Sequence, residues 1–284
     1  MKIDSHQHCW RLARGDYDWL DVGDAALAPL ARDFEPGDLA PLRAAHGVVA
    51  TVLVQAAATE AETDHLLALS RADDSIAGVV GWIDLTDASR LPTLQRWAAD
   101  PKFKGVRPML QDLPDTNWLD HSPSPVMVQT LIDLGLRFDA LVKTEHLPAL
   151  ARFAARWPQL PLVIDHAAKP ALAQGWRAPW AKAWRAGLGE LARLPNVYCK
   201  FSGLLTELGE HAEPAEAVAP IWQTLVSLFG AERLMWGSDW PVLNLAGDYD
   251  SWVELAGGFI ATLPAAAQPA VWRGTATRFY GLAA

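Results

Sequence analysis

The sequence has 284 residues, of which 51% are hydrophobic and 20% charged, a globular composition that excludes a mainly disordered chain. Its net charge of −9 and the lack of a Lys/Arg run argue against a nucleic-acid partner, and no apolar run reaches the ~18 residues of a membrane span. The start has no apolar signal core, and the two cysteines, Cys9 and Cys199, make no disulfide framework, so we expect a cytoplasmic protein.

Eight short apolar runs, rich in Val, Ile and Leu and bounded by Gly, Pro, Asp or Asn, are typical of buried strands. They are Ile3–His8, Val48–Gln55, Ile76–Asp84, Phe103–Pro108, Leu136–Val142, Leu162–His166, Val197–Ser202 and Leu234–Asp239. Segments of helical periodicity lie between and after them, at Ala61–Ala72, Leu91–Ala99, His146–Trp157, Trp180–Leu194, Ala215–Phe229, Tyr249–Leu263 and Ala266–Phe279.

This alternation predicts either a closed (β/α)8 TIM barrel or an open doubly wound sheet. The open sheet would need a glycine-rich nucleotide fingerprint after its first strand, and that strand ends instead in His-Gln-His. Pro and Gly are scattered and no long linker is present, which argues against a domain boundary. We therefore predict a single α/β domain, a TIM barrel that spans residues 1–284.

Two histidines mark the end of the first predicted strand. His6 and His8 stand two residues apart, so the period of a strand puts both imidazoles on one face. In a barrel that face is the lumen, and active sites lie at the carboxyl ends of the strands. Two converging imidazoles suit a metal ion or an oxyanion, although two merely polar residues explain His-x-His alone equally well.

A histidine and an aspartate end two later strands. His166 closes Leu-Val-Ile-Asp-His, where the alternative is a core histidine bonded to a neighbouring strand. Asp239 closes Met-Trp-Gly-Ser-Asp, where a buried carboxylate is costly without a partner. A helix N-cap is the alternative there, but the next helical pattern begins only near Tyr249. Since the first and eighth strands of a closed barrel are neighbours, we expect Asp239 beside His6 and His8.

Several further side chains are candidates for substrate binding. Lys200 lies on the predicted lumen face of the seventh strand, where it either takes part in the chemistry or pairs with a carboxylate. Arg107 ends the fourth strand and could clamp a substrate oxygen or form a salt bridge. Lys169, in a predicted loop, is interpreted as a solvated surface group. Four of the 14 tryptophans lie near strand ends and could wall a pocket: Trp10, Trp19, Trp82 and Trp240.

The arrangement of His-x-His on the first strand, His on the sixth and Asp on the eighth resembles the amidohydrolase superfamily. The likeness extends along nearly the whole chain, and five segments together resemble the branch that holds the sugar lactonases. These segments are Asp4–Trp10, Phe103–Pro108, Asp165–Pro170, Cys199–Leu204 and Trp236–Val242. The resemblance implies a TIM-barrel hydrolase that opens a lactone such as L-fuconolactone or L-rhamnonolactone, in carbohydrate metabolism such as L-fucose degradation.

The chain departs from the two-metal members of the superfamily. Those members have a bridging lysine or acid on strand four and a histidine on strand five, where this chain has Arg107 and no histidine. The resemblance therefore implies at most one divalent metal, with zinc favoured by imidazole ligands. Its ligands would come from His6, His8, His166 and Asp239. Some lactonases of this branch need no metal, so we do not take the ion to be essential.

The leading hypothesis is hydrolysis of a neutral sugar lactone by water that Asp239 activates. The imidazoles, His166 among them, would stabilise the oxyanion, while Arg107, Lys200 and the four tryptophans would orient the sugar. Two alternatives remain open, a metal-dependent decarboxylase of an aromatic acid and a barrel that only binds a sugar acid. The expected partner is a small molecule, with neither nucleic acid nor membrane, and a homo-oligomer is left open.

Overall fold

The computed structural model describes residues 1–209 and 212–283. In this part of the chain, eight parallel strands follow one another in chain order, and each pairs with the next. The strands are β1 (Lys2–Gln7), β2 (Val48–Val54), β3 (Ile76–Gly81), β4 (Phe103–Val106), β5 (Arg137–Ala140), β6 (Leu162–Ile164), β7 (Val197–Phe201) and β8 (Leu234–Trp236). All except β1 are shorter than the sequence predicts, because several residues at the predicted ends belong to the loops that follow.

Backbone hydrogen bonds join the first strand to the segment after the last one. Asp239 N donates to His6 O at 2.8 Å, and His8 N donates to Trp240 O at 2.7 Å. These contacts bring the two edges of the sheet together into a nearly closed barrel. The predicted TIM barrel is therefore confirmed, as is the expectation that its first and eighth strands are neighbours.

Helices connect the strands on the outside of the barrel. The described α-helices are α1 (Pro36–His46), α2 (Glu60–Ala72), α3 (Leu91–Ala98), α4 (Trp118–His121), α5 (Pro125–Asp133), α6 (Leu147–Arg156), α7 (Pro179–Ala192), α8 (Pro214–Phe229), α9 (Tyr249–Ile260) and α10 (Thr275–Tyr280). Short 3-10 helices lie at Leu12–Arg14, Ala25–Leu30, Ala88–Arg90, Leu110–Asp112, Thr144–His146, Asp165–Ala168, Leu172–Gln174, Leu205–Glu207, Ala231–Arg233 and Val242–Leu245, and a π-helix at Ala270–Gly274. Among the described residues, no helix combines the length and apolarity needed to cross a membrane.

Three of these helices have no counterpart among the sequence predictions. Helix α1 begins with Pro-Gly and has a second proline, Pro41, inside it, so its sequence is typical of a loop. Helices α4 and α5 have four and nine residues, too few to display an apolar period. The predicted helix Ala266–Phe279 corresponds to the π-helix followed by α10.

The C-terminal segment closes the N-terminal end of the barrel. Phe279 and Tyr280 of α10 belong to an interior cluster of buried apolar side chains from the strands. The strand members of that cluster are Ile3, Val52, Val54, Val80, Val163 and Met235. Lys104 Nζ, on β4, donates to Gly281 O at 3.0 Å and so fixes the segment to the barrel wall. The interior is packed at this end, which leaves the opposite end for a cavity.

Candidate active site

A bulge in β1 allows His6, and His8 just after the strand, to face inwards. Ile3 belongs to the interior cluster, and strict alternation would turn His6, three residues later, away from it. The register between β1 and β2 shifts between Asp4 and Gln7, which restores the inward direction. Asp4 points outwards, where its carboxylate accepts hydrogen bonds from Tyr249 Oη at 3.2 Å and Ser238 N at 2.8 Å.

Three imidazoles and a carboxylate meet at the carboxyl end of the barrel. His8 Nε2 lies 3.2 Å from His6 Nε2 and 3.2 Å from Asp239 Oδ1. The same Asp239 oxygen lies 3.7 Å from Nε2 of His6 and 3.7 Å from Nε2 of His166. All four side chains are buried. The structure thus brings together the four residues that the strand ends singled out, from β1 and from the loops after β1, β6 and β8.

His166 begins an unusual stretch of backbone. Residues 166–169 all have left-handed φ values, of 53°, 52°, 61° and 44°, and none of them is glycine. Because each such residue costs about 1–2 kcal/mol, the surrounding structure must enforce the conformation. Trp184 Nε1 donates to Ala167 O at 2.7 Å, and His166 Nδ1 lies 2.9 Å from Ser202 Oγ. A Cβ at Gly203 would come within 2.4 Å of that ring nitrogen, so only glycine allows the ring this place.

The electrostatics of the cluster keep Asp239 ionised. Burial opposes its charge, but His166, His8 and His6 together hold the pKa of this carboxyl well below its usual range. Burial lowers the pKa of His166 to about 4, although Asp239 pulls it upwards. Near neutral pH the cluster therefore contains a carboxylate beside a neutral imidazole, a combination suited to moving a proton.

Lys200 lies beneath the cluster and does not line the cavity. Its Nζ is 2.6 Å from Asp139 Oδ2, 2.9 Å from Asp165 Oδ1 and 3.0 Å from His6 Nδ1, and its side chain is fully buried. Tyr280 Oη also donates to Asp139 Oδ2 at 2.6 Å. Of the two interpretations that the sequence left open, the structure shows the lysine–carboxylate pair, and this pair supports His6. Direct contact of Lys200 with a substrate is not what the structure shows.

The two carboxyls beside Lys200 respond to burial differently. Burial raises the pKa of Asp139 to about 6 despite the ammonium. Burial also opposes the charge of Asp165, but Lys200 and His6 hold its pKa well below the usual range. Neither carboxylate was picked out from the sequence. A single acid inside an apolar strand, in Leu136–Val142 and in Leu162–His166, was the signal that could have revealed them.

Arg107 reaches the same centre from the end of β4. Its Nη1 is 3.4 Å from His6 Nε2 and 3.6 Å from Asp165 Oδ2, and its Nη2 donates to Gln55 O. Gln55 Nε2 in turn donates to Arg107 O at 2.7 Å. The guanidinium is buried and also lines the cavity, so it can meet a substrate oxygen.

A cavity of about 340 Å³ opens above the cluster. His8, His166, Asp239 and Arg107 form its polar floor, and Trp19 lies in its wall with Nε1 donating to Ala56 O at 2.7 Å. The apolar part of the wall also includes Leu27, Met109, Leu141, Val242 and Leu245. This volume suits a single small ring.

The other three predicted tryptophans lie elsewhere. Trp10 is fully buried behind Trp19, with ring centroids 5.5 Å apart, and its Nε1 donates to Arg32 O. Trp240 is buried against Phe34, and Trp82 lines a separate, smaller cavity. Closeness to a strand end does not fix the direction of a side chain. The sequence therefore assigned too many tryptophans to the cavity wall. Trp10 and Trp240 pack in the core instead.

The cluster fits one divalent ion. His8 Nδ1 faces Val54 O at 2.8 Å, so this nitrogen carries the proton and Nε2 offers its lone pair to the cluster. The ligand atoms of His6, His8 and Asp239 lie within 4.8 Å of one another, and imidazole with carboxylate is a zinc donor set. A second grouping, His6, Asp165 and His166, shares His6 with the first and contains the carboxylate that Lys200 occupies. The first grouping is therefore the one that fits an ion.

The chain matches a known family model over nearly its whole length. The family model described as amidohydrolase matches residues 3–282. The chain belongs to the amidohydrolase family. An L-fucono-1,5-lactonase from Burkholderia ambifaria is 45% identical to it over 256 residues, which cover 89% of this chain and 86% of the relative. An L-fucono-1,5-lactonase from Burkholderia multivorans is 40% identical over 289 residues, which cover 99% and 96%.

A solved structure agrees with this assignment. A crystal structure of an amidohydrolase from Burkholderia multivorans with bound zinc has a TM-score of 0.93 and 40% identity, with 100% of both chains covered. That amidohydrolase, which contains bound zinc, thus has the same fold as this chain over its whole length. For the present amidohydrolase, the cluster at the barrel mouth is the part of the structure that fits such an ion.

Proposed function

We propose that this amidohydrolase opens a neutral sugar lactone, with L-fucono-1,5-lactone as the first candidate. The observation that carries the proposal is the buried cluster of Asp239 with three imidazoles on the floor of a ring-sized cavity. The 40–45% identity to two L-fucono-1,5-lactonases over most of the chain supports the substrate class. The product is the open-chain aldonic acid.

The lactone would enter with its carbonyl towards the polar floor. Arg107 carries a permanent charge and would donate hydrogen bonds to the carbonyl oxygen as negative charge develops on it. His166, neutral near pH 7, is the second group proposed to stabilise this oxyanion. Trp19 offers a flat apolar surface to the C–H face of the sugar ring. Lys200 acts only through the ring of His6.

Asp239 is the proposed base. Its carboxylate takes a proton from water while the water oxygen bonds to the lactone carbonyl carbon, and the tetrahedral oxyanion forms. Collapse of this intermediate breaks the bond between the carbonyl carbon and the ring oxygen. Asp239 returns the proton to the ring oxygen, which leaves as a hydroxyl. An alkoxide leaves from a lactone more readily than nitrogen leaves from an amide, so modest polarisation of the carbonyl suffices.

A metal ion is compatible with this site. His6, His8, His166 and Asp239 are the proposed ligands, and zinc is the proposed metal. When bound, the ion supplies Lewis-acid polarisation of the lactone carbonyl. Arg107 follows β4, where the two-metal members of the superfamily have a bridging ligand, and a guanidinium has no lone pair to offer a second divalent ion.

The charges around the cavity argue against an acidic substrate. Among the described lining residues, the basic side chains apart from histidine are Arg107 and Lys169, and Lys169 Nζ is 3.1 Å from Glu207 Oε1. An aromatic acid for decarboxylation, or a pyrone dicarboxylate, would need a stronger cationic grip. A barrel that only binds a sugar acid would have no need of a proton-accepting cluster.

Cys9 and Cys199 are both buried and form no disulfide with each other, which supports a reducing compartment.

A pH-indicator assay tests the proposal. Purified protein is offered L-fucono-, L-rhamnono- and other aldonolactones, together with a pyrone dicarboxylate, and each hydrolysis releases one proton. We expect neutral sugar lactones to have the highest kcat/KM. Asp239→Asn should lower kcat by about 10²–10⁴, the range typical of a lost general base. Asp248→Asn is the matched control, since this residue caps α9 outside the cavity and asparagine caps equally well.

Two results would overturn the proposal. Absence of turnover with every lactone would exclude the reaction class. Faster turnover of the dicarboxylate would keep the lactonase chemistry but exclude the neutral substrate. A variant Asp239→Asn with most of the wild-type rate would remove Asp239 from the mechanism.

A further inference from the structure

Lys169 and Glu207 form a charged pair inside the cavity wall that the proposed chemistry does not use. Lys169 Nζ lies 3.1 Å from Glu207 Oε1, and their side chains are 23% and 18% exposed. Both residues line the same cavity as His166 and Asp239. The sequence interpretation of Lys169 as a solvated surface group therefore does not match its place in the structure.

The backbone fixes both members of the pair relative to His166. Lys169 is the last residue of the left-handed stretch that begins at His166, and its N–H donates to His166 O at 2.9 Å. Glu207 ends the 3-10 helix Leu205–Glu207, which follows closely after Gly203. Gly203 in turn lies against the ring of His166. Two separate segments are thus held against one catalytic imidazole, and each presents a charged group to the cavity.

The chemistry of the pair matches the ring of a sugar. An ammonium has three donors and a carboxylate about four lone-pair sites, so one contact between them leaves capacity for further hydrogen bonds. A hydroxyl that enters the cavity loses water and must find new partners. Much of the remaining wall is apolar, with Trp19, Leu27, Leu141, Val242 and Leu245 among its members. A carboxylate can accept from adjacent hydroxyls while the ammonium donates to their oxygens.

We infer that Lys169 and Glu207 bind the ring hydroxyls of the lactone and give the enzyme its preference for a polyhydroxylated ring. This inference rests on the proposed lactonase function. It assigns the pair to substrate selection, while the proton transfers stay with the cluster on the cavity floor.

The test measures kcat/KM of two variants on each of two substrates. Lys169→Met and Glu207→Gln are compared with wild type on L-fucono-1,5-lactone and on δ-valerolactone, which has the same ring without hydroxyls. Hydrogen bonds to charged groups contribute about 1.5–3 kcal/mol, so kcat/KM for the sugar lactone should fall by about 10–150-fold, mostly through KM. For δ-valerolactone the change should stay within about twofold, because no hydroxyl is present to bind. Its Ki as a competitive inhibitor replaces kcat/KM where its turnover is too slow to measure.

Controls separate substrate selection from folding. Arg96→Met removes a surface ion pair in which Arg96 Nη1 lies 2.9 Å from Asp64 Oδ1. It should leave kcat/KM unchanged for both lactones. Circular dichroism and thermal unfolding of each variant show whether it folds. Equal losses of kcat/KM on both lactones would overturn the inference and assign the pair a structural role. Unchanged kcat/KM on both lactones would also overturn it. If the wild type opens δ-valerolactone but not sugar lactones, hydroxyl recognition is wrong while lactone hydrolysis stands. If it opens no lactone at all, both proposals fail.

Discussion

Replacement of Lys200 by methionine should destabilise the protein strongly. The methionine keeps the length of the apolar stem but removes the charge that faces two fully buried carboxylates, at 2.6 Å from Asp139 and 2.9 Å from Asp165. Loss of one partner of a buried ion pair costs about 3–5 kcal/mol, because the other charge stays buried without compensation. Asp139 keeps its hydrogen bond from Tyr280, and Asp165 keeps Arg107 at 3.6 Å. The remaining contacts hold the loss within that range.

The loss should depend on pH in a defined direction. Burial already raises the pKa of Asp139 to about 6, and removal of Lys200 raises it further. An acid whose pKa is raised by folding contributes its stability at low pH, and that contribution disappears as pH rises through the folded pKa. The variant should therefore be closest to wild type near pH 5 and furthest from it near pH 8.

Equilibrium unfolding in urea, followed by tryptophan fluorescence at both pH values, measures this difference. The double variant Lys200→Met/Asp139→Asn should recover at least about 1 kcal/mol at pH 8, because it also removes one unpaired charge. Lys182→Met, on the exposed side of α7, should stay within about 0.5 kcal/mol of wild type. A loss below about 1 kcal/mol at pH 8 would refute the reasoning, since about 3 kcal/mol is the least expected for a broken buried pair. So would a loss that does not change between pH 5 and pH 8.

Two further outcomes can be checked directly. Elemental analysis of the purified protein should find no more than one divalent ion per chain, with zinc the most abundant, and two stoichiometric ions would contradict the expectation that Arg107 offers no ligand to a second ion. Glu62→Ala should lower the free energy of unfolding by about 2–5 kcal/mol, because it leaves the buried N–H groups of Ala56 and Ala57 without their carboxylate partner. Glu62→Gln retains an acceptor and should lose less; equal losses in urea unfolding would show that those bonds are not the cause.

The cluster of three imidazoles and a carboxylate could be found from the sequence because its determinants are local. His6, His8, His166 and Asp239 each stand at the end of an apolar run, and parallel strands in a barrel bring such ends to one face. The barrel itself was predicted from the alternation of short apolar runs with helical segments. The bulge in β1, between Asp4 and Gln7, was not predicted, yet His6 and His8 still share a face as the period of two predicts.

The remaining parts of the site depend on contacts between distant segments. Nothing near Tyr280 in the sequence indicates that it meets Asp139, 141 residues away. Lys169 looks like a surface lysine until the left-handed stretch turns it into the cavity, and no glycine marks that stretch. Trp10 and Trp240 are near strand ends in the chain but turn into the core. Side-chain direction in loops is set by tertiary packing, which a single sequence does not display.

The supporting residues form a continuous buried path from the closed end of the barrel to its open end. Tyr280 of α10 donates to Asp139, Asp139 pairs with Lys200, and Lys200 Nζ lies 3.0 Å from His6 Nδ1. Asp165 Oδ1 lies 3.4 Å from the same nitrogen, so the ammonium and this carboxylate together hold the ring of His6 in place. Lys200 is therefore a supporting residue, as the interpretation of a lysine–carboxylate pair expects. The ion pair that helps to fix the C-terminal helix under the barrel also orients the imidazole on which the active site is built.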